Sequence, residues 1–149
     1  MTPGNTQILI HVILPFLCGK DILARERNLK RIIKDHLETH GHQHVYTSVQ
    51  SDHVHLLFFM SPHVSLSLFF KVFFRDTARE LNRQEKSDHI IWNPEYFAVS
   101  CNLDELENLV RMLASQTEYH EFQSYSDELK YLLERMLETS VVAENLDIK

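Results

Sequence analysis

Cysteine, glycine and proline are all scarce in this 149-residue sequence. Cys18 and Cys101 are too few for a disulfide framework and do not form the closely spaced pair of a zinc site, so a reducing, cytoplasmic location is expected. Three glycines and four prolines argue against long linkers and low-complexity segments. The apolar stretch 8–17 is interrupted by His11 and Pro15, so we expect neither a signal peptide nor a membrane span.

The remaining composition indicates one globular domain with a substantial apolar core. We expect the domain to cover 1–149, with its core at about 6–138 and a loosely ordered tail at 139–149. The net charge of −6 is uneven, because 104–149 holds eleven acidic and four basic residues. Residues 1–103 are close to neutral, so the overall acidity lowers the expectation of a polyanionic partner without excluding one.

Apolar periodicity predicts the order strand, helix, strand, strand, helix, strand, followed by two more helices. The predicted strands cover 6–14, 44–49, 54–60 and 96–100, and the predicted helices cover 21–39, 65–82, 102–120 and a segment from 126. Two βαβ-like halves that share one sheet give an α+β, ferredoxin-like fold with a four-stranded antiparallel sheet. The C-terminal helices are expected to cover its open face, with Met112 on the buried side of the first of them.

Two histidines stand two residues apart in the strand-like stretch 53–59. Strand geometry places His53 and His55 on one face and the apolar residues between them on the other. Two imidazoles about 6.5–7 Å apart along a strand can lean toward one divalent cation if a third ligand is present. The alternative is a pair of solvated histidines. His11, on a neighbouring strand, either faces the same site or fills space.

Four cations recur at steps of four along the Phe-rich second helix, as Lys71, Arg75, Arg79 and Arg83. This stripe either contacts nucleic-acid phosphates or is an ordinary solvated face. The phenylalanines of the same helix are expected in the core. The remaining histidines are expected on the surface: His36, His40, His42, His44, His63 and His89.

The stretch 52–57, Asp-His-Val-His-Leu-Leu, resembles the His-hydrophobic-His (HUH) motif of the single-tyrosine transposases of the insertion-sequence-200/605 type. The segments 6–12 and 92–100 are similar to the first and fourth strands of that family. Residues 110–120, followed by 124–128 and a Leu-rich helix, resemble its catalytic helix and tail. Several segments agree in order and spacing over about residues 6–138.

The resemblance implies metal-dependent cleavage and rejoining of single-stranded DNA. In the family, two histidines and a glutamine hold Mg²⁺ or Mn²⁺, and a tyrosine four residues before the glutamine attacks the phosphate to give a 5′-phosphotyrosine. His53, His55 and Gln116 match these ligands. Asp52 and His11 are expected to lie next to the ligands without binding the metal ion directly. The family also implies a homodimer that binds a DNA hairpin and has no membrane contact.

Met112 occupies the position of the nucleophilic tyrosine. A thioether has no proton to lose and no anionic form, so it cannot replace a phenolate. Tyr119 is the candidate substitute on the same helix, while Tyr96 and Tyr125 would need the substrate to enter differently. We therefore expect lost or altered cleavage. The alternatives are a non-catalytic DNA- or RNA-binding regulator and an acidic protein-interaction domain.

Overall fold

An antiparallel five-stranded sheet is the main element of the part of the chain that the structure describes. The structure, a computed structural model, describes residues 5–84 and 90–115. The strands are β1 (Leu9–Cys18), β2 (Gln43–Val49), β3 (His53–Phe59), β4 (Ile91–Trp92) and β5 (Phe97–Ser100). The helices are α1 (Glu26–Thr39), α2 (Leu66–Gln84) and α3 (Leu106–Ala114).

All of these elements belong to the first of two compact units, Met1–Ala114. The second unit is Ser115–Lys149. The helix predicted from residue 126 and the tail predicted at 139–149 lie outside the described residues. The single-domain assignment therefore stays a prediction.

The strand order β2-β3-β1-β4 confirms the predicted ferredoxin-like α+β arrangement. β3 pairs antiparallel with β1 on one side and with β2 on the other. The predicted fourth strand is split in two, since β5 pairs with the first half of β1 and β4 with its last residues. Pro94 lies between them and has no amide hydrogen to donate to a strand, which agrees with an interruption at this point.

One face of the sheet packs against α1 and α2. Alternation along β1 and β3 places Ile10, Val12, Leu56 and Phe58 on this face, and all four are buried. The helices contribute the apolar side chains that cover them: Leu29, Ile32, Ile33, Leu37, Phe69, Phe70, Phe73 and Leu81. The phenylalanines of α2 that were expected in the core are therefore buried there or packed against it.

α1 ends at a glycine that the backbone requires. Gly41 has φ of +86°, in the left-handed region that side chains with a Cβ rarely adopt. The Gly41 amide donates to the carbonyl of Glu38 at 3.1 Å, which closes the last turn of the helix. The predicted helix end at residue 39 is confirmed.

The opposite face of the sheet is covered in part by α3. Leu113 is 1% exposed and packs with Leu9 and Leu57, so the predicted covering of the open face is confirmed for the described part of this helix. The prediction that Met112 lies on the buried side is wrong, because its side chain is 39% exposed. Met112 directly precedes Leu113, and adjacent residues on an α-helix point about 100° apart, so the two side chains do not share a direction.

Candidate metal centre beneath the third helix

His53 and His55 lie on the face of the sheet that α3 covers, and both are fully buried. Their exposed fractions are 1% and 0%, which excludes the alternative of two solvated histidines. Both belong to β3, where they are opposite Pro15 and Ile13 of β1. The central position of β3 between β1 and β2 fixes the backbone of both residues from two sides.

The two imidazole rings converge on one point. Nε2 of His53 and Nε2 of His55 are 3.1 Å apart, and the rings are nearly perpendicular, at 73°. Strand geometry alone would leave the two side chains about 7 Å apart, so both rings lean toward each other.

Each ring is held on its other nitrogen by a separate partner. Nδ1–H of His53 donates to Oδ1 of Asp52 at 2.6 Å, and Nδ1 of His55 lies 2.9 Å from Nε2 of His11. His11 is itself 7% exposed and stacks on the His55 ring with centroids 5.2 Å apart. Asp52 is positioned by its backbone, since its carbonyl accepts from the Phe16 amide at 2.9 Å. The Asp52 carboxylate is 59% exposed, at the edge of the site.

This arrangement restricts where protons can reside. Because the Asp52 carboxylate accepts from Nδ1 of His53, the Nε2 of a neutral His53 presents a lone pair. His55 then either donates a proton from its own Nε2 or presents a second lone pair there. Two lone pairs 3.1 Å apart in a buried site repel each other unless a cation lies between them. Either one Nε2 donates a hydrogen bond to the other, or a cation would have to lie between them.

The separation suits a metal ion as well as a proton. Two nitrogen ligands about 2.1 Å from one ion and at right angles to each other stand about 3.0 Å apart. The Nδ1 contacts of His53 and His55 are the kind of outer contact that orients metal-binding histidines in other proteins. Within 5–84 and 90–115, no three His, Cys, Asp or Glu side chains are grouped to hold a metal ion. The expected third ligand, Gln116, lies just outside those ranges.

Of the two described tyrosines, only Tyr46 packs on the histidine face, against the apolar cluster that contains Leu57. Tyr96 packs on Phe70 with ring centroids 4.6 Å apart, on the α1 and α2 face of the sheet. The sheet therefore separates Tyr96 from the histidine pair, and its candidacy is wrong. Tyr119 and Tyr125 lie outside the described residues. Met112 is next to Leu113, whose side chain contacts the same face of the sheet as the histidines.

The basic stripe of α2 is exposed on the far side of the sheet from the histidine pair. Lys71, Arg75, Arg79 and Arg83 all lie at exposed positions. Arg75 pairs with Asp76 at 2.9 Å and Arg83 with Glu80 at 2.8 Å, so acids of the same helix offset part of the charge. The prediction that the stripe contacts DNA remains a prediction.

Four histidines expected on the surface are buried or partly buried: His36, His40, His42 and His44. His42 is 3% exposed and packs edge-on against Phe69, with centroids 4.4 Å apart. His36 is half-buried, and burial, together with the nearby His40, lowers its pKa to about 4. Burial and the adjacent Lys34 ammonium lower the pKa of His44. The surface expectation was wrong for His42 because the residues that cover it, Phe58 and Phe69, are distant in sequence.

The family model described as Transposase IS200 like matches residues 5–116. This chain belongs to the IS200-like transposase family. Two solved structures resemble it: a Deinococcus radiodurans protein assigned as a transposase and a REP-associated tyrosine transposase bound to a REP hairpin. The first has 22% identity and a TM-score of 0.60 and covers 78% of this chain and 98% of its own. The second has 11% identity and a TM-score of 0.58 and covers 83% of this chain and 76% of its own. At these identities the two structures support the fold.

A search of curated proteins gives no match to this transposase-family chain. Within the described ranges, no helix is long and apolar enough to cross a membrane. The family assignment agrees with the resemblance drawn from the His-hydrophobic-His motif at 53–55. The expected location in the cytoplasm stays a prediction.

Proposed function

We propose that this chain binds structured single-stranded DNA as a transposase-family protein, retains the metal site and has lost strand cleavage because Met112 replaces the nucleophile. The observation that supports it is the convergence of the two Nε2 atoms at 3.1 Å, with each Nδ1 held by its own partner. A hairpin ligand is suggested by the structural neighbour that was solved with one.

His53, His55 and Gln116 would hold Mg²⁺ or Mn²⁺ in this proposal. A bound divalent cation would offset negative charge on the phosphoryl oxygens of the scissile phosphate. The chain's own residues prepare the site. Asp52 fixes the His53 ring so that its Nε2 is unprotonated, and His11 orients the His55 ring. Burial keeps water away from both rings.

The residue at position 112 decides whether the bound DNA strand is cleaved. A phenolate forms an oxygen–phosphorus bond and expels the 3′-oxygen, whereas a thioether has no anionic form with which to do so. Strand cleavage through this position therefore requires a tyrosine. The same loss, with binding retained, makes the chain a DNA-binding regulator derived from a transposase, which is the second candidate function.

The test is a comparison of the natural protein with Met112→Tyr. Each is incubated with Mn²⁺ and hairpin-flanked single-stranded DNA, and covalent adducts are resolved on a denaturing gel. We expect no adduct from the natural protein and an adduct from Met112→Tyr. Met112→Phe is the matched control, because it adds the ring without the hydroxyl and must give none.

Three outcomes would contradict parts of the proposal. An adduct from the natural protein would refute the loss of the nucleophile and direct attention to Tyr119. The absence of Mn²⁺ binding that depends on His53 and His55, measured by electron paramagnetic resonance, would refute the metal site. Failure to bind any hairpin DNA at low salt would favour the acidic protein-interaction domain instead. A homodimer, also implied by the family, is tested by light scattering on the purified chain.

A further inference from the structure

A groove crosses the edge of the sheet between α1 and β2. Its volume is about 380 Å³, and six residues line it: Lys30, Arg31, Lys34, His44, Tyr46 and Thr47. This volume lies near the lower end of the range for small-ligand sites, which suits one or two nucleotides and not a double helix.

The charged side chains that line the groove are all cations. Lys30 pairs with Glu26 at 2.9 Å and Arg31 with Asp35 at 3.6 Å, both at solvent-exposed positions where ion pairs are weak and easily exchanged. Lys34 is exposed and forms no ion pair with the described residues. It lies close enough to His44 to lower the pKa of that imidazole.

A second surface depression, between α1 and α2, provides a contrast. Its lining contains Asp35, Asp76 and Glu80 besides Arg31. Three carboxylates would repel a phosphate there. Positive charge is therefore concentrated on the β2 side of α1 and is offset on the α2 side.

The groove leads toward the histidine pair. β2 is the edge strand next to β3, and its register places Ser48 opposite His55 and Tyr46 opposite Leu57. Tyr46 is two residues before Ser48 on β2, so it lies about 7 Å along the strand from the residue that pairs with His55. Tyr46 packs against the apolar cluster of Leu9, Leu57 and Leu113 on the histidine face of the sheet. The same residue also lines the groove. Its ring connects the two regions.

We propose that this groove binds the nucleotides of single-stranded DNA that flank the phosphate at the histidine pair, with Lys30 and Lys34 on phosphates and Tyr46 stacked on a base. The assignment rests on the proposed function, since it extends the DNA path from the histidine pair. The combination of a backbone-binding cationic groove with an aromatic platform is typical of proteins that bind single strands. A purely electrostatic surface would not distinguish single strands from duplex, whereas an aromatic ring can stack on an unpaired base.

Fluorescence anisotropy with a labelled, unstructured oligothymidylate tests the groove without metal or cleavage. Binding is measured in EDTA over a salt series for the natural protein, Lys34→Gln and Tyr46→Leu. Loss of one phosphate contact should lower the slope of log K against log salt by about 0.7 for Lys34→Gln. Loss of stacking should reduce affinity roughly 5- to 150-fold for Tyr46→Leu and leave the slope unchanged.

Conservative variants separate these roles from structural effects. Lys34→Arg keeps the charge and should keep the slope, and Tyr46→Phe keeps the ring and should keep the affinity. Arg111→Gln removes one cation from the exposed side of α3 and serves as the control for net charge. Circular dichroism confirms that each variant is folded.

The outcomes distinguish the groove from the proposed function. Binding by the natural protein that Lys34→Gln and Tyr46→Leu leave unchanged would overturn the groove and leave the histidine site standing. If Arg111→Gln lowered the slope as much as Lys34→Gln, the effect would come from net charge alone, and the proposed groove would also be overturned. No binding of oligothymidylate or of hairpin-flanked DNA at low salt would overturn both proposals. Equal affinity for duplex DNA and the unstructured strand would overturn the role of Tyr46.

Discussion

His36 makes the folded chain sensitive to mild acid. Its ring packs between His40, Phe69 and Phe73, with centroids 4.3–5.5 Å away. Its Nε2 is buried and has no hydrogen-bond partner among the residues that the structure describes. Burial is the largest cause of its lowered pKa, about 4. The positive charge of a protonated His40 or His42 lowers it further, while Asp76 on α2 opposes the shift. The folded state therefore prefers the neutral imidazole.

The sign of the pH dependence follows from this preference. The unfolded chain takes up a proton at its ordinary pKa of 6.5, whereas folded His36 stays neutral until about pH 4. The contribution of His36 to stability is present above pH 6.5 and is lost as the pH falls from 6.5 to 4. Because pH 5 lies 1.5 units below the ordinary pKa of 6.5, protonation stabilises the unfolded chain by about 2 kcal/mol. Because the ring is only half-buried, solvent screening reduces this to about 1 kcal/mol.

The assay is urea unfolding at pH 7.5 and pH 5 for the natural protein and His36→Leu. Leucine retains apolar contact with the phenylalanines and does not titrate, so the loss of stability between the two pH values should be smaller by about 1 kcal/mol in His36→Leu. His63→Leu, at an exposed loop position, is the matched control for removing one histidine. Equal losses in the natural protein and His36→Leu would refute the reasoning, because His42 and His44 are present in both.

Three further predictions concern the metal site, the core and a helix end. His11→Phe should keep the stacking on His55 and lower Mn²⁺ affinity roughly 10- to 100-fold by removing the contact to Nδ1; unchanged calorimetric affinity would contradict the role of His11. Phe70→Ala should destabilise the fold by about 3–5 kcal/mol in urea unfolding, because the ring is fully buried; a loss below about 1 kcal/mol would contradict tight packing there. Gly41→Ala should lose about 1–2 kcal/mol of stability from its positive φ, and a neutral result would show that the turn can relax.

The sheet could be predicted because its signals are local. Alternation in β1 and β3 has a period of two, and one residue of slip would expose the whole apolar set, so the register follows from the pattern. The short connection between β2 and β3 requires an antiparallel hairpin, which the structure confirms. The same rule places His53 and His55 on one face, whereas the contact of His11 with His55 was one of two alternatives that the sequence left open.

The features that sequence reasoning missed depend on distant residues. His42 follows Gly41 in a polar context, and only the folded positions of Phe58 and Phe69 bury it. The groove between α1 and β2 joins cations of a helix to a tyrosine of an edge strand, and the sequence signal was limited to the cations. The exposure of Met112 depends on which side of α3 packs on Leu9 and Leu57. Helical periodicity could not decide this, since apolar residues occur on more than one side of this short helix.

The residues of the proposed metal site and of the proposed nucleophile position lie on different elements, so one can change without the other. His53, His55 and both of their partners belong to β1, β3 and the turn before β3, and contacts among these residues fix the rings. The nucleophile position is on α3, which meets this face through Leu113, Leu9 and Leu57. Replacing a tyrosine by methionine at an exposed position of α3 removes no contact among the histidines. The geometry of the histidine pair can therefore persist without a nucleophile, which is why the proposed function expects Met112→Tyr to restore cleavage.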